Sequence, residues 1–271
     1  MTKDLFRFTA EYRFEKPLLI AGWTKDSGAL SPRTIDYLNR RIKGQSFCAI
    51  DPSGFFSLAG VAIENNVAQF PERGFYYSHE KNLVLFKADE PQFQRYQFLS
   101  AILDVAEHYC KAERLYTVNG VISSIAHTSR RHIFAVFNQP GVQKDLRGHG
   151  LVNMTWQGPP HLSTYLLWLA KRRNIAGTSL WVEVPFYLAG WEDLQSLKTT
   201  LSFFSKRIAL DIDLENLNQQ IDNQNQLLAQ LRENDQEINQ YISGLESGLS
   251  LSEEEQMQLI KGVSEFFKEN R

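Results

Sequence analysis

Pro17-Leu-Leu-Ile-Ala-Gly22-Trp23, followed by Thr24-Lys-Asp-Ser-Gly28, is the stretch on which the fold turns. A short apolar run ending in glycine reads as a buried strand leaving into a loop. The next five residues are turn chemistry. Ser31-Pro32 then reads as an N-cap with proline at the first helical position. The helix it opens runs to about Ile42, with Ile35, Leu38 and Ile42 on one face. Strand, loop and helix in this order are the building unit of layered α/β proteins.

The pattern recurs along the chain. Leu5 to Phe14 alternates like an edge strand. Ser46–Ile50 is a second buried strand, closed by Asp51-Pro-Ser-Gly54. Residues 61–88 read as a β-meander of Val61-Ala-Ile, Gly74–Tyr77 and Leu83–Phe86, with His79–Asn82 as hairpin turn. Pro91 opens a long helix whose inward face is Phe93, Tyr96, Leu99, Leu103, Ala106 and Tyr109. Strands follow at Arg114–Val118, Ile133–Phe137 and Ser179–Val184. Helices follow after Pro159-Pro160, with Leu162, Tyr165, Leu166 and Leu169 inward, and from Asp193 to Arg207. The expected class is α/β: a three-layer α/β/α body over residues 1–210, with a mixed, largely parallel sheet.

From Asp211 the chain changes character. Leu214, Leu217, Ile221, Gln224, Leu228, Leu231, Asp235, Ile238, Ile242 and Leu245 follow alternating three- and four-residue steps, eight of the ten apolar. That is a heptad seam, in which Gln224 and Asp235 are polar interruptions of the kind that set register or partner. Ser252-Glu-Glu-Glu255 is a capping box. It opens a second helix with Met257, Ile260, Val263 and Phe267 inward. Residues 211–271 are therefore expected to form a helical hairpin or a coiled-coil arm, packed either on their own body or on another chain.

Composition narrows the function. The 271 residues are 43% hydrophobic and 22% charged, which is ordinary globular usage and excludes a disordered body. No stretch reaches the roughly 20 consecutive apolar residues of a membrane span, and MTKDLFRFTAEYRF lacks a signal-peptide core. The two cysteines, Cys48 and Cys110, exclude a disulfide framework or a multi-cysteine zinc site. A cytoplasmic protein is expected, with no cofactor and no metal. The net charge of −2 conceals an asymmetry: residues 211–271 hold 13 acids and 4 bases (−9), the remainder 18 acids and 25 bases (+7). A basic body with an acidic tail fits self-association or a charged protein partner. The bases are dispersed, which speaks against nucleic acid.

Phosphate-loop, dinucleotide, zinc-protease and nucleophile-elbow motifs are absent from the sequence. Three weaker features remain. Gly22, Trp23, Asp26 and Gly28 stand at a strand's carboxyl end, where open α/β sheets bind ligands, and amides at Gly28 could hold an anion. The alternative is a tight turn with Trp23 capping the core. Ser123 to Arg131 places serines near His127, a nucleophile-and-base pairing, with Arg130 and Arg131 for phosphate or carboxylate. The alternative is turn hydroxyls and surface or interface arginines. Glu183, inside the apolar run Trp181–Pro185, is either a general base of raised pKa or a paired structural anchor.

Taken together, Pro17–Gly28, Asp51 with Phe55-Phe56, Gly120 to His127-Thr128, and Asn174-Ile-Ala-Gly-Thr-Ser-Leu-Trp-Val-Glu-Val-Pro-Phe-Tyr-Leu188 occur in an order that resembles the proteasome assembly chaperone family. The likeness is to prokaryotic relatives of its second subunit and covers roughly residues 5–220. It implies a phosphorylase/hydrolase-like α/β/α body, often homo-oligomeric, with added C-terminal helices. It also implies a non-enzymatic protein-binding or assembly factor. Family chaperones dock on the proteasome through a hydrophobic–tyrosine–any-residue tail. This sequence ends Phe267-Lys-Glu-Asn-Arg271, so that route is not expected. The competing expectation is a small-molecule hydrolase or phosphorylase-like enzyme, with Gly22–Gly28, His127 and Glu183 converging at the sheet's carboxyl edge.

Overall fold

Leu19 to Trp23 is buried at every position, which a strand achieves only when both faces of its sheet are covered. The computed structural model describes residues 5–57, 62–158 and 161–270. Its strands are β1 (Phe6–Phe8), β2 (Leu18–Trp23), β3 (Gln45–Ile50), β4 (Ala62–Glu64), β5 (Val67–Gln69), β6 (Arg73–Ser78), β7 (Leu83–Ala88), β8 (Arg114–Ser123), β9 (Ile133–Phe137), β10 (Leu151–Asn153) and β11 (Ala176–Pro185). Its helices are α1 (Leu30–Ile42), α2 (Arg95–Asp104), α3 (Pro140–Asp145), α4 (Leu162–Arg172), α5 (Leu194–Ile208), α6 (Glu215–Asn234), α7 (Gln236–Glu246) and α8 (Glu253–Glu269).

Nine strands form one mixed sheet in the order β1-β3-β6-β7-β2-β8-β11-β9-β10. The β1-β3, β3-β6 and β6-β7 ladders are antiparallel. β2 runs parallel to β7 on one side and to β8 on the other. The chain divides into two compact units. One takes residues 1–25, 31–119 and 134–180; the other takes 26–30, 120–133 and 181–271.

In the first unit, strand alternation sorts the helices. Leu19, Ala21 and Trp23 of β2 and Val84, Phe86 and Ala88 of β7 join one core with α2 and α4. The alternate residues face α1. A Cβ on Gly22 would lie 2.7 Å from Ile35, and the Lys87 ammonium reaches Asp36 at 2.7 Å. Helix, sheet and helix are the three layers the sequence predicts.

Four local expectations change in this unit. Ser31 lies inside α1, one residue past its start, and its hydroxyl accepts the Trp23 N–H at 3.0 Å, which ties α1 to the end of β2. The edge strand shrinks to Phe6–Phe8. β4 and β5 pair only with each other, apart from the main sheet. Phe93, Tyr96, Tyr109 and Tyr165 are exposed. α2 is rotated so that Phe98, Leu99, Ile102 and Leu103 form its inner face. Val61 of the predicted meander and Pro159-Pro160 lie outside the described residues.

In the second unit, α6, α7 and α8 pack on the Phe186–Leu188 turn and Ala126 around a core of Leu228, Leu231, Ile238, Ile242, Leu259 and Val263. Leu217, Ile221 and Leu245 of the predicted seam are buried as well, and Leu214 is half-buried at the start of α6. The uninterrupted helix through the seam is corrected at Asp235. That residue is extended (φ −133°, ψ 108°), and its carboxylate accepts the Glu237 and Ile238 N–H groups at 3.0 Å. Asp235 is therefore an N-cap, a role its short acceptor side chain favours, and not a polar seam residue. Gln224 donates to the Glu192 carbonyl at 2.7 Å. The Ser252–Glu255 capping box forms, but Met257 and Ile260 point outward and Leu259 takes their place inside.

Candidate functional site

Trp23 ends β2 with its ring buried on Phe86. Its indole N–H donates to the Ser163 hydroxyl at 2.9 Å, and Ser163 donates to Asn119 at 2.6 Å. Asn119 in turn donates to the Leu180 carbonyl at 3.1 Å. A buried indole N–H needs such an acceptor, and this chain of bonds fastens α4 to β2, β8 and β11. Gly22 leaves space for Ser31 and Ile35.

In the second unit, both Asp26 carboxylate oxygens accept the Gly120 N–H at 3.0 Å. Gly120 is required by proximity, because a Cβ there would stand 2.4 Å from the Ser27 carbonyl oxygen. Gly28 has φ +66°, donates to Ala189 and accepts from Asp193, both at 3.0 Å. A Cβ on Gly28 would meet Val184 at 3.0 Å. These residues make a two-ended clasp of backbone.

Arg131 is the centre of the loop that follows β8. Its Nε donates to Asp193 at 3.0 Å and its Nη2 to Asp193 at 3.3 Å. Nη2 also reaches the His127 carbonyl at 3.1 Å, and Nη1 the Ala126 carbonyl at 3.2 Å. The Ser196 hydroxyl lies between that Asp193 carboxylate and the Glu183 carbonyl, 2.6 Å away, with one proton to give to either. All three guanidinium nitrogens are engaged and the side chain is fully buried, so this arginine has no donor left for a phosphate. Arg130 beside it is exposed.

His127 is buried, and its Nδ1 lies 2.9 Å from the Tyr187 hydroxyl. That hydroxyl also accepts the His127 backbone N–H at 2.6 Å. Burial, helped by the Arg232 charge, pushes the His127 pKa down to about 4. Burial raises the Tyr187 phenol well above its ordinary value. The ring bonds a phenol, not a serine, and neither partner changes protonation near neutral pH. Glu183 is buried and its carboxylate takes the His132 N–H at 2.9 Å and pairs with His132 Nδ1 at 2.8 Å.

The second unit thus holds His127, Arg131 and Glu183 in one connected lattice, but each is turned toward its own partner. Sequence reading missed Tyr187 and Asp193. Asp193 was legible only as the start of a helix, and nothing local marks it as the mate of an arginine 62 residues away. Among the described residues, no group of three or more His, Cys, Asp or Glu could hold a metal ion. No described helix is long and apolar enough to cross a membrane.

A mixed sheet between helical layers is an α/β/α scaffold. The chain belongs to the PAC2 family, whose model matches residues 19–232. Three solved structures share the fold. A PAC2 family protein from Streptomyces avermitilis is 19% identical, with a TM-score of 0.70 over 83% of this chain and 99% of that one. A proteasome-assembly chaperone homologue from Mycobacterium tuberculosis is 15% identical, with a TM-score of 0.71 over 83% and 99%. An archaeal proteasome activator from Pyrococcus furiosus is 18% identical, with a TM-score of 0.68 over 84% and 99%. No curated protein matches the chain.

Proposed function

We propose that this protein is a non-enzymatic assembly factor of the proteasome-chaperone kind, working in the cytoplasm as a homo-oligomer that binds other polypeptides. The observation that carries the reading is the buried lattice of Arg131, Asp193 and His127, in which each polar group is matched to another part of the same unit. A catalytic base or nucleophile needs an open side toward substrate, whereas a binding scaffold needs rigidity. Family membership and the names of the similar structures support the same reading. The seam of α6 and α7 serves the interior of its own unit, so partners meet the acidic outer faces of α6–α8, which complement a basic surface.

The test is sedimentation of the purified chain alone and mixed with proteasome core subunits. The chain alone should run as a multiple of 31.2 kDa. The mixture should give one heavier species that dissolves as salt rises. Unshifted separate boundaries at low salt would end the assembly reading. Saturable ester or phosphate-ester turnover, lost on changing His127 or Glu183, would establish the enzyme instead.

A further inference from the structure

Within the first unit, β2 and β7 run side by side and parallel, Trp23 opposite Ala88. The chain leaves their carboxyl ends in opposite senses. From β2 it goes to α1 and β3, on the β7 side of the sheet; from β7 it goes to α2 and then to β8, across β2. Adjacent strands whose connections diverge leave a crevice beyond their carboxyl ends, and open α/β sheets hold ligands there. A cavity of about 640 Å³ lies at that point, lined by Thr24 and Lys25 after β2 and by Asp89, Glu90 and Arg95 after β7, with Phe56 and Phe70 as walls. Its size falls in the range of small-molecule sites.

The valences around it are unequal. Asp89 accepts the Thr24 hydroxyl and, at 2.6 Å, the Glu72 N–H. Glu72 takes the Lys87 ammonium and the Tyr76 hydroxyl, each at 3.1 Å. These two carboxylates are matched; the third of the lining, Glu90, acts on the half-buried His161. Lys25 has no hydrogen bond or ion pair among the described residues, and Arg95 donates only from Nε, to the Pro91 carbonyl at 3.2 Å. The guanidinium fork of Arg95 is open, a geometry suited to phosphate. α2 begins at the same rim without a side-chain cap, so its first N–H groups add positive potential. Phe70, 62% exposed, is a large ring left at the surface beside the cavity.

We propose that this cavity binds a mononucleotide-sized phosphate monoester, its phosphate on Lys25 and Arg95 and its flat ring against Phe56 and Phe70. The inference stands apart from the assembly reading, since it concerns a different unit and a small ligand.

Calorimetric titration of the full chain with AMP, adenosine and inorganic phosphate is the test. AMP should bind saturably, with adenosine and phosphate each at least about tenfold weaker. A Lys25→Ala/Arg95→Ala chain should bind AMP at least about tenfold more weakly and lose the salt dependence of binding. Phe70→Ala should weaken AMP and adenosine alike. Both cations are exposed, so unchanged circular dichroism is expected and separates lost binding from lost folding. Absence of saturable AMP binding, or AMP binding equal in wild type and the double variant, would overturn the site.

Discussion

The carboxyl ends of β2 and β7 in the first unit and the loop that follows β8 in the second draw on the same residue types and reach opposite ends. In the second, Arg131 and Asp193 are buried and every polar atom of the pair is matched inside the protein. In the first, Lys25 and Arg95 stand at a cavity with donors left over. A charge taken out of water must be partnered or it destabilises the fold by several kcal/mol. A charge left in water carries no such demand and keeps its capacity for a ligand. The difference teaches that residue identity does not mark a site; unsatisfied valence beside a cavity does.

The contrast can be broken most forcefully at Asp193. Asp193→Ala strands the Arg131 guanidinium in a dry interior and should cost about 3–5 kcal/mol, read as a fall in the urea midpoint. Arg131→Met with Asp193→Leu should cost less than the sum of the single changes, because no charge is then left unmatched. Additive losses would show that the pair is not a unit.

Acid probes the same region. His127 has a folded pKa near 4, below its unfolded value of about 6.5. The folded state therefore resists the proton more than the unfolded state does. The stability this group contributes is complete above pH 6.5 and is lost as pH falls through 4. Between pH 7 and pH 4.5 the wild type should lose about 2–3 kcal/mol more than His127→Gln, measured by denaturant melts at both pH values. Parallel pH curves for the two proteins would refute the buried neutral imidazole.

A smaller effect is expected at Asp235. Asp235→Ala removes the acceptor for two N–H groups of α7 and should cost about 1 kcal/mol, whereas Asp235→Asn should restore most of it. A continuous heptad helix would instead gain stability from alanine at this position. The smallest effect sharpens the comparison from the other side. Lys25→Ala and Arg95→Ala should each change stability by no more than about 0.5 kcal/mol. A larger loss would mean that these cations serve the fold after all.

Much of the scaffold was legible in the sequence, because apolar alternation and short apolar runs are set by burial. β2, β3, β7 and α5 fall where their patterns put them, and Leu194, Leu197, Leu201 and Phe204 all face inward. The capping box at Ser252 is equally local. Tertiary partners were not legible. Ser31 reads as a cap, and nothing in its spacing shows that its hydroxyl also accepts the Trp23 amide. The tail's three-and-four spacing continues straight through Asp235, and periodicity does not register the break there, where the Asp235 carboxylate caps a new helix. Met257 and Ile260 satisfy the helical stripe in number but not in phase, since Leu259 lies nearer the core. The crevice between β2 and β7 needs the strand order, and that is a property of pairing across distance.

Trp23 carries a consequence beyond packing. Sealed from solvent at 2% exposure, with its indole N–H on Ser163, it should emit at the blue end of tryptophan fluorescence and resist iodide quenching. Lifting α4 from the layered core would expose it to water and shift its emission to the red. A chain keeping Trp23 as its sole tryptophan would then report optically on that one contact as the first unit opens.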